Sequence, residues 1–405
     1  MLPVEDARKR ILEGFEPLGA EQISVADALG RVLAEDVIAR VTKPPMAVSA
    51  MDGYAVRAGD VQKTPVRLRQ VGYVQAGKSH DREVGAGECV RIFTGGPMPP
   101  GTDTIVIQEN VDANGEWITI KENTPERRYV RPAGLDFKEG EPGIKAGRRL
   151  TARDVGLIGV MNVPWVMVHR RPRVAILSSG DEIVMPGDPI GRNQFVSANG
   201  LALAALVSAT GGLPYSLGIA ADTPEAVQAA GKAAAGADLL VTTGGASVGE
   251  HDLIRSALSK TGLDIDFWQI AVRPGKPLMF GRMGGTRVIG LPGNPVSAMV
   301  CAILFLRPAV EAMMGIPFAQ KPHVMATLGV DLPANDKRED YLRSELRREA
   351  DGRLVALPFP VQDSSMITRL ARADCLVIRA PHAPALKAGN LVEILPFDGH
   401  HLANI

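Results

Sequence analysis

The stretch at residues 239–252, Leu-Leu-Val-Thr-Thr-Gly-Gly-Ala-Ser-Val-Gly-Glu-His-Asp, decides the fold of this chain. Its apolar, β-prone start predicts a buried strand, which the pair Gly244 and Gly245 ends before a helix-compatible segment begins at about Glu250. Glycines let backbone amides approach a ligand closely, and the start of a helix favours negative charge. The stretch therefore suits a phosphate-binding turn. A tight strand–helix turn without a ligand has the same local pattern.

The same alternation of strand and helix extends on both sides of this stretch. Further strands are predicted at 174–177, 215–219 and 288–291, and helices at 198–209, 224–235, 250–260 and 296–312. Strands that alternate with helices of this length predict an open, three-layer parallel sheet. Such sheets bind ligands beyond the carboxyl ends of their strands. We therefore expect an α/β domain over residues 171–321.

Acidic residues follow the predicted strands at that edge of the sheet. Asp181 and Glu182 come after the first strand, Asp222 comes after the second, and Asp252 comes after the glycine pair. Each of these acids alone is more often a helix cap or a turn residue. Together with the phosphate-binding turn, they predict Mg²⁺ held between carboxylates and phosphate oxygens.

Two loops rich in proline lie further along the chain. Residues 273–277, RPGKP, carry two cations, and the prolines restrict the direction in which Lys276 points, although a surface lysine is usually solvated. Residues 292–295, PGNP, precede an apolar helix, and Pro295 suits its first position. A basic loop beside an acidic metal site suits a substrate that carries both an oxyanion and phosphates.

The rest of the chain predicts three further units around the α/β domain. Helical patterns, including a second N-terminal helix capped by Ser24, predict a helical, elongated domain from residues 1–43 and 141–170. Alternating β-prone runs with glycine and proline predict an inserted small β domain at residues 44–140. Residues 322–405 are again β-rich and predict a C-terminal β-barrel domain. The expected fold class is α/β plus all-β, in a multidomain chain.

Two polar residues stand out in the inserted β domain. Asp52 lies in the run VSAMDGYAV at residues 48–56, where a tight turn presents the acid, although such turn acids are more often caps. Thr94 opens the rigid loop TGGPMPPG at residues 94–101 and offers a hydroxyl either to a ligand or to the turn itself.

Composition indicates a soluble globular protein of several domains, with 405 residues, 45% hydrophobic and 22% charged. Lysine and arginine total 45, as do aspartate and glutamate, so no overall charge attracts nucleic acid or acidic membranes. The scattered Cys89, Cys301 and Cys375 argue against a disulfide framework and indicate a reducing compartment. The charged start lacks the apolar core of a signal peptide, and the apolar run at 296–306 is too short for a membrane span. We therefore expect a cytoplasmic location, with no nucleic-acid or membrane partner.

A series of motifs occurs in order along the chain: SAMDGYAV at 49–56, TGGPMP at 94–99, SGDE at 179–182, TGGASVG at 243–249, PGKP at 274–277 and LPGNP at 291–295. This series resembles that of the molybdopterin molybdenumtransferase family, the MoeA or molybdate-insertase group related to the gephyrin E domain. The resemblance implies an elongated, four-domain homodimer with its active cleft between subunits. It also implies insertion of molybdate into the dithiolene of adenylylated molybdopterin, with release of AMP in a Mg²⁺-dependent step. Molybdopterin adenylyltransferase and other cofactor-biosynthesis proteins are the partners that it implies.

The resemblance also implies roles for individual residues. Asp52 and Thr94 would face the cleft from the neighbouring subunit as catalytic residues. The other implied catalytic residues are Asp136, Glu182, Asp222 and Asp252, of which Glu182, Asp222 and Asp252 would also bind the metal. The residues implied to hold molybdate are Arg273, Lys276, Arg343 and Ser365. The implied cofactor-binding residues are Ser179, Gly180, Thr243, Gly244, Gly245, Ser247, Gly249, Pro292, Asn294 and Pro295.

Two other functions fit part of the sequence. A molybdopterin adenylyltransferase would share the parallel-sheet domain, but it would not need the domain with Asp52 and Thr94 or the C-terminal β domain. A non-catalytic pterin-binding scaffold would keep the whole fold. Against the scaffold, the acidic residues are present and no long disordered linker is evident.

Overall fold

The computed structural model of the chain describes residues 1–75, 77–244, 253–318 and 324–397. These residues form an N-terminal domain, an inserted β domain, an α/β domain with a six-stranded mixed sheet, and a closed five-stranded barrel near the C-terminus. The predicted α/β plus all-β, multidomain architecture is confirmed. The residue boundaries assigned to the four domains stay a prediction.

The sheet of the α/β domain is parallel over most of its width. In spatial order its strands are Leu213–Ala220, Arg173–Ser179, Leu239–Thr243, Thr286–Leu291, Met279–Met283 and Leu263–Phe267. The first four run parallel, and Met279–Met283 runs antiparallel to both of its neighbours. The sequence pattern did not predict this antiparallel strand, because a hairpin turn of Gly284 and Gly285 joins it to Thr286–Leu291 without a helix.

Helices cover both faces of this sheet. One face carries Asn199–Thr210, Pro295–Cys301 and Arg307–Met313, with the π-helical segment Ala302–Leu306 between the last two. The other face carries Pro224–Ala233 and Leu253–Ser259. Alternate residues of one strand enter the two cores: Leu239 and Val241 pack on the first face, and Leu240 packs on the second. Burial on both faces explains why this strand is apolar at successive positions.

The helical run Pro295–Met313 is long and apolar enough to cross a membrane by length and composition. However, 72% of its most apolar 18-residue stretch is buried inside the protein. Phe305 and Leu306 are fully buried in the core beside the sheet. This packing accounts for the apolar composition of the run.

Two separate segments build the core of the N-terminal domain. Residues from 28–39 pack with residues from 137–168, and two strand pairs join them: Ala20–Ser24 with Trp165–His169, and Val37–Ile38 with Pro142–Ile144. The helix Ala152–Val160 completes this domain. The predicted second N-terminal helix is wrong, because Ser24 caps only the 3₁₀ turn Val25–Asp27 and the chain then turns at Gly30, where φ is 75°.

The first helix, Val4–Glu13, packs on the α/β domain. Val4, Ala7 and Ile11 enter the core that also contains Met313. The segment before this helix is tied to the same domain, because Ala271 donates its amide to the Leu2 carbonyl at 2.7 Å. Sequence periodicity predicted the helix, but it could not show which domain covers the apolar face.

The inserted β domain is a six-stranded sheet. In spatial order its strands are Thr104–Ile107, Gly53–Val56, Glu88–Ile92, Val66–Val74, Trp117–Ile120 and Val111–Asn114. The smaller elements around it are the strand pair Val48–Ser49 with Val130–Arg131 and the 3₁₀ turns Ala58–Val61 and Gln108–Asn110. Lys43 and Phe137 pair where the chain enters and leaves the domain.

The C-terminal sheet closes on itself. Its strands are Glu339–Arg348, Leu354–Pro358, Val324–Leu328, Leu391–Pro396 and Cys375–Arg379, and the last pairs with the first. The helix Ile367–Arg372 lies between two of them in sequence. The short strand Val272–Arg273 of the α/β domain pairs with Glu339 and Asp340, and so joins the two domains.

We predict that Thr151→Ala destabilises the helix Ala152–Val160 by about 0.5–2 kcal/mol, the usual effect of losing an N-cap hydroxyl. The Thr151 side chain accepts a hydrogen bond from the Asp154 amide, and the Asp154 carboxylate accepts one from the Thr151 amide at 2.8 Å. Amide hydrogen exchange across this helix measures the loss. Thr151→Ser keeps the hydroxyl and is the matched control. Equal loss in both variants would show that the Thr151 methyl group, and not the cap, stabilises the helix.

Candidate active site

The parallel strands of the α/β domain end at one level. Ser178 is in register with Thr243, and Thr243 is in register with Leu291. The segments that follow these three residues therefore leave the sheet side by side. They contain most of the cofactor-binding residues predicted from the sequence, together with the acids Asp181 and Glu182.

Gly244 begins the predicted phosphate-binding turn. Its φ is 90°, and a Cβ at this position would lie 2.3 Å from the carbonyl oxygen of Ser179. Only glycine combines this left-handed backbone with such a close approach. Gly245, Ser247, Gly249 and Asp252, which are also predicted site residues, lie outside the described residues.

A buried hydrogen-bond network holds the base of this turn. The Asn199 amide donates to the Thr243 hydroxyl at 3.1 Å and to the Gly293 carbonyl at 2.7 Å. The Thr243 hydroxyl in turn donates to the Pro292 carbonyl at 3.0 Å. Thr243 and Pro292 are therefore fixed by internal contacts. The sequence pattern did not predict a role for Asn199 in the site, because an asparagine at the start of a helix is common.

Ser179 differs from Thr243 in its hydrogen bonding. The Ser179 side chain is almost fully buried, and its hydroxyl has no hydrogen-bond partner within the described part of the chain. A buried polar group without a partner is energetically unfavourable and calls for a water or a ligand. Ser179 therefore keeps a free hydrogen-bonding atom beside Gly244.

The acids after the first two strands meet at this edge. The Asp222 amide donates to the Asp181 carboxylate at 3.0 Å, and the Asp181 amide donates to the Asp222 carboxylate at 3.4 Å. Glu182 is exposed, and its carboxylate folds over Gly180, where a Cβ would lie 2.5 Å from Glu182 Oε2. The structure thus brings Asp222 next to Asp181, with Glu182 adjacent in the chain. The pattern of strand ends had included Asp181 among the metal-binding acids, whereas the family resemblance implied only Glu182, Asp222 and Asp252.

These acids fit a Mg²⁺ site of limited protein ligation. Within residues 1–75, 77–244, 253–318 and 324–397, no three His, Cys, Asp or Glu side chains gather closely enough to hold a metal by themselves. Asp181 and Asp222 are exposed and lie side by side, because the carboxylate of each accepts a hydrogen bond from the amide of the other. Mg²⁺ is commonly held by one or two carboxylates together with phosphate oxygens and water. The donor set at this edge therefore suits Mg²⁺ in the presence of a phosphate ligand.

Arg273 of the basic loop is engaged in ion pairs with the C-terminal barrel. Its guanidinium binds the Asp340 carboxylate in a two-pronged pair, and it also donates to Asp336 at 3.1 Å and to Asn335 at 3.0 Å. Hydrogen bonds from Arg338, assisted by the charge of Arg273, lower the pKa of Asp336 to about 2. These contacts make Arg273 a support for the loop.

Lys276 has a different environment in the same loop. The loop packs closely on the helix Pro295–Cys301, since a Cβ on Gly275 would lie 2.3 Å from the Cys301 sulfur. The half-buried Lys276 ammonium forms no hydrogen bond or ion pair with any residue that the structure describes. A half-buried cation on a closely packed loop, without a partner among the described residues, is suited to bind an anion.

Arg343, another predicted oxyanion ligand, is fully buried in the barrel. One guanidinium nitrogen donates to the Asp363 carbonyl at 3.2 Å, and Nε and Nη1 have no partner among the described residues. Burial lowers the pKa of this guanidinium. A buried cation with two free donor nitrogens is costly and favours the approach of an anion.

Ser365 is less free, because its hydroxyl donates to the Asp363 carboxylate at 2.6 Å. The preceding residue joins the barrel to the α/β domain. The Asn294 amide donates to the Ser364 hydroxyl at 3.0 Å, and the Val296 amide donates to the Ser364 carbonyl at 3.1 Å. The segment above Arg343 is therefore fixed to the turn that contains Pro292, Asn294 and Pro295.

Asp52 and Thr94 form a compact pair in the inserted β domain. One oxygen of the Asp52 carboxylate accepts hydrogen bonds from the Thr94 amide at 2.7 Å and from the Thr94 hydroxyl at 2.8 Å. These bonds lower the pKa of Asp52, because they stabilise its charged form. The second carboxylate oxygen has no hydrogen-bond partner among the residues that the structure describes, and so can contact a ligand.

Asp136 lies at the neck of the inserted domain, on the surface. Its carboxylate is 3.8 Å from the Lys43 ammonium, and its amide donates to the Lys43 carbonyl at 3.0 Å. In the described part of one chain, no hydrogen bond or ion pair links Asp52, Thr94 or Asp136 to the acids at the sheet edge. Asp52 and Thr94 thus lie in the inserted β domain and Asp136 lies at its neck, whereas the acids at the sheet edge belong to the α/β domain.

Comparisons with known proteins agree with this architecture. Residues 2–161 match the profile of the MoeA N-terminal region (domain I and II), residues 175–312 match the probable molybdopterin binding domain, and residues 325–397 match the MoeA C-terminal region (domain IV). The chain is 32% identical over 402 residues to the molybdopterin molybdenumtransferase of Haemophilus influenzae, covering 98% of this chain and 99% of that protein. It is 35% identical over 335 residues to that of Nostoc sp., covering 80% of this chain and 77% of that protein.

Solved structures show the same relationship. The molybdopterin biosynthesis MoeA protein from Pyrococcus horikosii superposes with a TM-score of 0.85 at 31% sequence identity, over 98% of this chain and 100% of that chain. The chain thus has the four-part architecture of a molybdenum-cofactor biosynthetic protein. It belongs to the MoeA family, as the resemblance of its motifs implied.

We predict that Gly244→Ala distorts the base of the phosphate-binding turn and destabilises the protein by about 1–3 kcal/mol, the usual cost of a strained backbone position. The added Cβ would clash with the Ser179 carbonyl. Chemical unfolding of the α/β domain measures the loss. Gly293→Ala is the matched control in the adjacent turn, because its Cβ would come no closer than 3.4 Å to Gly244. If both variants unfold at the wild-type denaturant concentration, the close approach at Gly244 carries no structural constraint.

Proposed function

We propose that this protein is a molybdopterin molybdenumtransferase, which inserts molybdate into the dithiolene of adenylylated molybdopterin and releases AMP. The proposal rests on one observation: the strand edge of the α/β domain is joined to the barrel segment that covers Arg343. Hydrogen bonds from Asn294 and Val296 to Ser364 fix a phosphate-binding strand edge beside a segment that covers the buried Arg343. The curated relatives that match nearly the whole chain carry the same activity in their names.

In this mechanism the α/β domain binds the phosphates of the substrate. The turn at Gly244 offers backbone donors, and the Ser179 hydroxyl supplies a further hydrogen bond. Asp181 and Asp222, with Glu182 beside them, would hold Mg²⁺, and Asp252 would join this set as the family resemblance implies. When bound, Mg²⁺ neutralises phosphate charge and so assists departure of AMP.

Lys276 and Arg343 bind the molybdate oxyanion in the proposed reaction. Both have donor nitrogens without a protein partner among the described residues, whereas Arg273 is occupied by Asp340 and Asp336. We therefore assign to Arg273 the support of the loop that carries Lys276, and to Ser365 the shaping of the segment above Arg343. Pro292 and Pro295 shape the wall of the pocket beside them.

The proposed active unit is a homodimer. Asp52 and Thr94 belong to a different domain from the sheet edge and share no hydrogen bond with it among the described residues, so we assign their approach to the cleft to a neighbouring subunit. The family resemblance implies the same arrangement, with Asp136 contributing near the neck of that domain. The ionised Asp52 would orient the substrate or accept a proton during adenylate cleavage. A cytoplasmic location and contact with molybdopterin adenylyltransferase complete this proposal.

The adenylyltransferase alternative is not favoured. An enzyme of that type would need only the α/β domain, whereas the match to molybdopterin molybdenumtransferases extends through the inserted domain and the C-terminal barrel. No residue contact specifically favours a non-catalytic scaffold. The transferase therefore accounts for the largest part of the chain.

We predict that the purified protein releases AMP from adenylylated molybdopterin only when molybdate and Mg²⁺ are both present. AMP and the metal-loaded cofactor are quantified by chromatography and by elemental analysis. Asp222→Asn should lower the rate about a hundredfold or more, since loss of one electrostatic contact to the transition state has effects of this size. Release of AMP at the rate of a protein-free control would reject the proposed function. Turnover of ATP with molybdopterin, in the absence of molybdate, would support the adenylyltransferase instead.

We predict that Lys276→Ala weakens molybdate binding about ten- to a hundredfold and leaves pterin binding within about twofold. A hydrogen bond to a charged group contributes about 1.5–3 kcal/mol, and 1.4 kcal/mol corresponds to a factor of ten. Calorimetric titration with molybdate and, separately, with molybdopterin measures the two affinities. Lys232→Ala, at an exposed lysine of the same domain, is the matched control. Equal loss of both affinities in Lys276→Ala would contradict the assigned role.

A further inference from the structure

We propose that Arg91 is a positioning residue for Asp52, which it holds in place from both sides of the turn that carries the carboxylate. The proposal rests on the proposed function, in which Asp52 acts on the substrate. Arg91 lies on the strand Glu88–Ile92 of the inserted β domain, close to the Asp52–Thr94 pair. The motifs in the sequence pointed to Asp52 and Thr94 but not to this arginine.

On one side, Arg91 supports the backbone next to Asp52. Its Nη1 donates to the carbonyl of Gly53 at 3.4 Å, and its Nη2 donates to the Gln108 side chain at 2.6 Å. The Gln108 amide donates to the Asp52 carbonyl at 3.2 Å. The planar guanidinium thus connects Gly53, which follows Asp52, with Gln108, which binds the main chain of Asp52.

On the other side, Arg91 contacts the segment that leads to Thr94. Its guanidinium carbon lies 5.0 Å from the centre of the Phe93 ring, and Phe93 directly precedes Thr94. The same carbon lies 4.9 Å from the ring of Tyr54 on the neighbouring strand. Tyr73 packs edge-on against Phe93 at a ring separation of 5.3 Å. The guanidinium is therefore held by two rings, one of which adjoins the hydrogen-bond donor of Asp52.

The positive charge of Arg91 also acts on the Asp52 carboxylate. The hydrogen bonds from Thr94 are the main cause of the lowered pKa of Asp52, and the charge of Arg91 lowers it further. Within the described residues, two side chains lower the pKa of Asp52: the neutral Thr94 and the charged Arg91. Loss of the charge therefore raises the Asp52 pKa, so that Asp52 takes up a proton at a higher pH.

The inserted domain contains a matched control for these contacts. Arg67 stacks on Trp117 at 4.6 Å in the same sheet, so it shares the arginine–aromatic contact. No hydrogen bond links Arg67 to Asp52, Gly53 or Gln108 within the described part of the domain. A structural role common to stacked arginines would affect both positions, whereas positioning of Asp52 requires Arg91 alone.

The test compares Arg91→Met, Arg91→Lys, Arg67→Met and Asp52→Asn in the full-length protein. Titration of carbon-13-labelled aspartate carboxyl groups by NMR gives the Asp52 pKa, and the signal is assigned by its loss in Asp52→Asn. Release of AMP against pH and substrate concentration gives kcat, KM and the acidic limb of the rate profile. Unfolding curves report whether each variant is folded. Gln108→Leu, at an exposed position, removes one contact of Arg91 and serves as a second variant if Arg91→Met does not fold.

We expect Arg91→Met to raise the Asp52 pKa, to move the acidic limb to higher pH, and to lower kcat about ten- to a hundredfold, as loss of positioning does. KM for the adenylylated substrate should stay within about twofold. Arg91→Lys should keep the wild-type pKa but recover kcat only in part, because an ammonium lacks the planar fork. Gln108→Leu should lower kcat without moving the pKa. Arg67→Met should match the wild type in every measurement.

Two outcomes would overturn the proposal. One is an Arg91→Met variant with the wild-type Asp52 pKa and kcat, in a protein that Asp52→Asn inactivates. The other is a loss of activity in Arg91→Met that only equals its unfolded fraction, with the Asp52 pKa unchanged. A wild-type protein that releases no AMP would instead contradict the proposed function. In that case the NMR titration alone decides whether Arg91 holds Asp52 in its charged form.

Discussion

The close approach of two backbones at the edge of the α/β sheet is the constraint on which the site depends. The carbonyl oxygen of Ser179 lies where a side chain at position 244 would begin, so the strand ends converge only around a glycine. The turn at Gly293 packs on the same glycine, and Asn199 ties it to Thr243. Hydrogen bonding by the main chain therefore determines where the acids and hydroxyls of this edge can lie.

A second constraint is that the loops of the α/β domain keep a fixed position relative to the C-terminal barrel. The ion pairs of Arg273 with Asp340 and the short pairing of Val272–Arg273 with the barrel fix the basic loop. Ser364 of the barrel fixes the turn at residues 292–295 by accepting a hydrogen bond from the Asn294 side chain. Charged groups that stay partly unsatisfied, such as Arg343, are tolerated in a fold only where the surroundings are rigid. Arg273 accordingly supports the site through its ion pairs and does not enter it.

Sequence reasoning was most successful where local pattern and tertiary environment coincide. The strand Leu239–Thr243 has the predicted bounds because five successive residues are buried on both faces of the sheet. The prediction of a helix after Ser24 was wrong, because local periodicity does not reveal the turn at Gly30. It also does not reveal that Ala20–Ser24 forms a strand paired with Trp165–His169. In the site, the acids at strand ends could be predicted from topology. Asn199 and Arg91 could not, because each depends on contacts with residues remote in sequence.

The packing of the first helix has a consequence for synthesis on the ribosome. Val4–Glu13 is synthesised before the residues that cover its apolar face, such as Phe280 and Met313. At 5–20 residues per second, these partners follow after roughly 15–60 s, once the whole inserted domain has been made. The helix must therefore remain unpaired or be shielded during this interval. Completion of the α/β core thus joins segments that leave the ribosome at well-separated times.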